Sequence, residues 1–283
     1  MFRQRILPLL LILFWVTSIV KADVGSSIFA EKDNGVYDWE KSVVQATGFG
    51  ISPSFINNSS QGRIMAREAA ITTAQRRLLE LIDGVQIDSK QTVKNVQIES
   101  DVIEKRVSGL LQGARIIEEE SIDDKTYMVV MELEFYGNGG VIEAIFPAIE
   151  DSRRSTKDSI WIDRNDGFGE EEGEYTSIII KAPSDLSPAL APKIYNSSGD
   201  LIYGVSTIDI DDVITDGLVS YSRSLADARN NSRAGNNPLI IDAQGVKGDY
   251  STDIVISNRD ARSIKSAGIR GVFSDRRVIV VLN

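Results

Sequence analysis

The densest run of cation-ligating side chains in this 283-residue chain is Asp163-Arg164-Asn165-Asp166-Gly167-Phe168-Gly169-Glu170-Glu171-Glu172-Gly173-Glu174. Asp163, Asn165 and Glu174 stand at positions one, three and twelve of a calcium loop, where oxygen ligands wrap a hard cation. Position six is Phe168 where the sharp turn demands glycine, and neither flank has a helical pattern, so an acidic linker is the plainer reading. Carboxylate pairs at Asp123-Asp124 and Asp211-Asp212 could share acid and base roles only if a rigid cleft held them across a substrate; both fall in turns or solvated runs. The chain contains no histidine and no cysteine. That removes Ser-His-Asp and Cys-His hydrolysis, histidine-ligated zinc and haem, thiolate nucleophiles and iron–sulfur ligation. No S-x-x-K motif with its partners is present, Gly48-Phe49-Gly50 lacks the third glycine of a dinucleotide loop, and no phosphate-binding G-x-x-x-x-G-K-[ST] occurs. The residues therefore predict no catalytic group and no cofactor, with Asp163, Asn165 and Glu174 as the metal candidates.

The elements that would position such groups read as two α+β units. Val43 to Phe49 alternates and ends at glycines, as a strand does. From Gly62 to Ile82, Ala66, Ala70, Thr73, Ala74, Leu78 and Leu81 recur at helical spacing, with Arg63, Arg67, Arg76 and Glu80 on the other side and Gly84 as the stop. Val85 to Val93 reads as a strand and 100–113 as a second amphipathic helix. Ala114 to Glu120 and Thr126 to Tyr136 form a hairpin whose Tyr127, Val129, Met131, Leu133 and Phe135 share the apolar face. The predicted order over 37–146 is β-α-β-α-β-β, a helix-on-antiparallel-sheet domain. It is preceded by a flexible arm over 23–36 and followed by an acidic linker over 147–174. The second, smaller α+β domain spans 175–283. Its expected elements are strands at Ser177–Lys181, Leu239–Val246, Asp253–Ile256 and Arg277–Leu282, a hairpin around 196–200, a helix over Leu218–Asn230, and a helix launched by the capping box Ser257-Asn258-Arg259-Asp260.

Arg3 and Arg5, the apolar run Ile6–Val20 and Ala22 before Asp23 form a secretory leader with cleavage near Ala22. The run is shorter than the ~20 residues a membrane crossing needs and contains Pro8. It predicts a periplasmic or secreted chain with no transmembrane segment after processing, and the missing cysteine removes lipoprotein anchoring. A net charge of −10 opposes nucleic acid and anionic lipid and favours basic partners or divalent cations.

The helix GRIMAREAAITTAQRRLLELIDGV (Gly62 to Val85), then QIDSKQTVKN, SDVIEKRVSGLLQGARIIEE and TYMVVMELEF, resemble the amino-terminal domain of the flagellar assembly protein T and the related Lpp-twenty-like envelope lipoproteins, over about residues 40–136. The resemblance implies a dodecin-like helix-on-sheet domain used in envelope structures, including the flagellar basal-body ring, and it implies no catalytic residues. The expected function is that of a non-enzymatic, outer-membrane-associated envelope or assembly protein. It would act through contacts with envelope proteins, flagellar basal-body or outer-membrane components, or further copies of itself. Arg63, Arg67, Arg76 and Arg77 are the partner-binding candidates, on a helix face that simple solvation explains equally well. The alternative is a module that binds a ligand or divalent cation.

Overall fold

The computed structural model describes residues 29–32, 35–56, 59–155, 175–266 and 270–282. The leader and the calcium-loop candidates Asp163, Asn165 and Glu174 lie outside them. Small residues set the spacing at the centre of the first unit. The helix α1 (Ser59–Asp83) buries Ala66, Ala70 and Ala74 one turn apart. They lie over Gly48 and Gly50 of a nine-residue strand, Val43–Ile51. A Cβ on Gly48 would sit 2.1 Å from the Ala70 carbonyl oxygen, and one on Gly50 would sit 2.0 Å from that of Ala66. Backbone thus touches backbone, and only glycine fits. Further along α1, Leu78, Leu81 and Ile82 replace the alanines and fill the widening gap. Each contributes roughly 2 kcal/mol relative to exposure.

That strand is β3 of an antiparallel sheet completed by β1 (Phe29–Lys32), β2 (Gly35–Asp38), β4 (Arg115–Ser121) and β5 (Thr126–Glu134), in the order β1-β2-β3-β5-β4. Val129, Met131 and Leu133 of β5 turn to α1 as the alternation predicts. Two helices, α2 (Val93–Glu99) and α3 (Asp101–Gly113), follow α1, and Thr92 caps α2 in a reciprocal box with Asn95. Three expectations are corrected here. The arm expected over 23–36 contains β1 and the start of β2. The span Val85–Val93 is a tight loop closed by a single bridge between Gln86 and Thr92; Asp88 accepts bonds from the Lys90 and Gln91 amides and turns the chain before a strand can extend. After α4 (Val141–Ala144), the start of the expected linker over 147–174 is helical, taken up by α5 (Phe146–Ser155).

The second unit is built on a parallel sheet of β6 (Ser177–Lys181), β9 (Ser220–Ser222), β10 (Pro238–Asp242) and β13 (Val278–Val281), in the order β10-β6-β13-β9. Its central strands read SIIIK and VIVV because both faces are covered. Ile178, Ile180, Val278 and Val280 face the main core, while Ile179, Ile279 and Val281 face α7 (Leu225–Asn230). The connections fold into a second sheet, β11-β12-β7-β8, from β7 (Ile194–Asn196), β8 (Leu201–Tyr203), β11 (Gly245–Lys247) and β12 (Asp253–Ile256). The helix expected over Leu218–Asn230 is instead β9 followed by α7, capped by Ser224. The strand expected over Leu239–Val246 divides into β10 and β11. An unanticipated α6 (Ile210–Asp216) precedes Gly217, and α8 (Asn258–Ser266) starts at the expected Ser257–Asp260 box. A short α9 (Arg270–Ser274) leads into β13. The molecule is α+β throughout.

The two units share one apolar core. The loop before α2 docks on the second unit through backbone bonds from Leu190 N to Gln86 O (2.9 Å), Ala191 N to Ile87 O (2.7 Å) and Asp249 N to Ser89 O (3.0 Å). Trp39 packs between Phe135 of its own unit and Tyr221 of the other, at centroid distances of 4.6 and 5.6 Å. The buried Tyr136 hydroxyl donates to Leu190 O at 3.2 Å. Among the described residues no helix is long and apolar enough to cross a membrane.

Candidate interaction surface

The four arginines do not form one patch. At about 100° per residue, Arg76 lies on the opposite side of α1 from Arg67. Arg67 is bound to Glu119 at 2.7 Å, and that bond holds its guanidinium more firmly charged than usual. Arg76 pairs loosely with Glu80 at 3.9 Å, and Arg77 donates to the Thr47 carbonyl on the flank of β3 left open beyond β2. Arg63 alone of the four is exposed with no partner among the described residues.

One carboxylate of each pair is held within the fold. Asp123 accepts from the Lys125 and Thr126 amides, both at 2.7 Å, and these bonds hold its pKa below the ordinary value. Asp212 pairs with Arg276 at 2.9 Å. A cleft of about 570 Å³ between α3, the ends of β4 and β5 and the 138–144 segment is lined in part by Arg106, Arg115, Glu132, Glu134 and Glu143. Its acids are already engaged. Arg115 bonds Glu132 at 2.7 Å and Glu134 at 3.3 Å, Gln45 donates to the other Glu132 oxygen at 2.7 Å, and Glu143 accepts from Gly139 N at 2.6 Å. Among the described residues no group of three or more carboxylates could hold a metal ion.

What remains open is an edge. Among the described residues β4 is paired on one side only, by β5, and all seven of its residues are exposed. Ile116 and Ile117 are 37% and 46% exposed, and Ile122 beyond the strand is 50% exposed. A bulge at Ile117 shifts the register between Ile116 and Glu118. Among the described residues the face of the sheet away from α1 is open as well. Cross-strand rows run Thr47, Val130, Glu118 and Phe49, Met128, Glu120, with exposed Ile51 opposite Thr126 at the far end. Each row is apolar or neutral at β3 and β5 and acidic at β4. The sequence marks this strand as exposed but not as an edge: RIIEEES has no period-two alternation, so neither face of it can be core.

Fold and surface together define a two-unit α+β protein whose open feature is a strand edge. The second unit, residues 176–283, matches a family model described as the second domain of Treponema pallidum Tp0624. No curated protein matches the chain.

Proposed function

We propose that this protein is a non-enzymatic, exported component of the cell envelope that works by holding another protein. The observation that carries the reading is β4, a seven-residue strand that among the described residues has one edge of unpaired backbone groups and exposed isoleucines beside an uncovered sheet face. Such an edge offers a partner backbone hydrogen bonds, with side chains selecting which partner pairs. The leader-like start supports export, and the resemblance of residues 40–136 to flagellar assembly protein T and Lpp-twenty-like proteins supports an envelope role, with the flagellar base as one destination. Absence of imidazole and thiol leaves adhesion the simpler chemistry.

The test is a photo-crosslinking residue placed at Ile117 in growing cells, with Arg262 on α8 as the control position. A discrete adduct with an envelope protein from position 117 and none from 262 is the expected result. No adduct, or a chain retained in the cytosol with its leader intact, defeats the reading.

A further inference from the structure

Resting on that reading, we infer that β4 accepts an extended basic segment, with cations at alternate positions, as an added sixth strand. Glu118 and Glu120 are two apart on β4 and so point to the same side of the sheet, away from α1. Among the described residues neither has an ion pair or a hydrogen bond. Glu119, on the other side, is bound to Arg67, and Glu132 and Glu134 are tied by Arg115. The two free carboxylates are therefore uncompensated charges beside an open ladder of backbone donors and acceptors.

The same residues exclude a second copy as the occupant. Antiparallel pairing of two β4 edges centred on Glu118 or Glu119 sets carboxylate against carboxylate, and like charges directly opposite destabilise a strand pair. Edge acids and a bulge are common devices against self-association. Protection alone does not explain Ile116, Ile117 and Ile122, which leave apolar surface at both ends of the acidic stretch. A strand with lysine or arginine at alternate positions and apolar residues between matches both features, because it gains the ladder, neutralises Glu118 and Glu120 and covers the isoleucines. The bar against self and the attraction to a basic partner come from one pair of side chains.

The test uses the full processed protein with three probes: a seven-residue peptide alternating lysine and valine, its glutamate–valine counterpart, and the lysine peptide with its central valine replaced by proline. Binding is read by fluorescence anisotropy and by hydrogen-exchange protection of the 115–121 amides. The lysine peptide should bind and protect β4, and the glutamate and proline peptides should not. The Glu118→Lys/Glu120→Lys variant should weaken binding about tenfold or more, as reversal of two exposed pairs implies. Both positions are exposed, so unchanged thermal unfolding of the variant certifies its fold. Binding indifferent to proline or to the double substitution, protection elsewhere, no binding at all, or concentration-dependent protection of β4 without peptide each overturns the inference. If it fails while the Ile117 crosslink persists, the contact reading stands with a different partner chemistry; loss of the crosslink removes that reading itself.

Discussion

Two adjacent buried polar residues, one without a partner and one with, are both penalised by their burial near the boundary between the units. Thr252 is fully buried and its hydroxyl has no hydrogen-bond partner among the described residues. An orphaned buried hydroxyl costs stability that an isostere without it does not. Thr252→Val should therefore raise stability by about 1 kcal/mol, read as a higher urea midpoint with unchanged slope; a fall would show that the hydroxyl is satisfied. Asp253 has partners, the Lys193 amide at 3.1 Å and the Ser89 side chain, yet burial dominates and raises its pKa, with nearby Asp88 adding to the rise. The sign follows from which state binds the proton more tightly. Below the unfolded value of about 3.9 both states are protonated and nothing is lost. As pH rises towards the folded value, the unfolded chain ionises first, so the native state loses stability and stays penalised above that value. Asp253→Asn should thus gain on the wild type as pH rises above about 4, measured as a Tm difference larger at neutral pH than at pH 4. A difference that narrows over that range would mean the Lys193 and Ser89 bonds outweigh burial.

Elements were legible wherever a period held and a single face was buried. The alanine stripe of α1 and the alternation of β5 are of that kind, and both stand in the structure where the spacing places them. Val85 and Ile87 are also buried and alternate, but Asp88 folds the chain back within four residues, and side-chain capping of a loop leaves no periodic trace. Leu218, Val219 and Tyr221 look helical beside Leu225 and Ala228; the division at Ser224 is marked by its bond from the Asp227 amide, an N-cap signal outweighed by the apolar count. The parallel order β10-β6-β13-β9 depends on pairings between strands far apart in sequence, which spacing cannot encode. At the candidate surface the strand itself was legible, but its place at an edge was not, and the arginines chosen from the helical pattern turn out mostly engaged within the chain. The α1–β3 contact gives the prediction at this scale. Gly48→Ala places a methyl within 2.1 to 2.9 Å of α1 backbone atoms, which cannot move as a side-chain end could. The variant should lose about 1–3 kcal/mol or more in chemical denaturation while keeping its far-UV spectrum, and a neutral result would mean that α1 shifts freely.

At the scale of the whole molecule, the question is whether two units with one core behave as one. Gly217 adopts φ +75° and a Cβ there would stand 2.5 Å from the Tyr136 ring, so the turn after α6 and the first unit fit against each other with no spare volume. Gly137 N adds a 2.8 Å bond to Ile214 O beside it. Separating the units would expose Tyr136, Leu190 and Tyr221, and would strand backbone groups at Gln86, Ile87 and Ser89 that now have partners across the boundary. Neither half has an independent way to satisfy those groups except water, and the exposed apolar surface would oppose the change. The expected consequence is a single cooperative transition, unlike that of loosely tethered domains. Trp39 is the natural reporter because it touches both Phe135 and Tyr221. In protein produced from Asp23 onward and carrying Trp161→Phe, Trp39 fluorescence and far-UV circular dichroism should give coincident urea midpoints, and Gly217→Ala should lower both together, a loss of about 1–3 kcal/mol. Two midpoints in the parent protein, or a Gly217→Ala variant that moves one probe and leaves the other, would show that the continuous core does not couple the units.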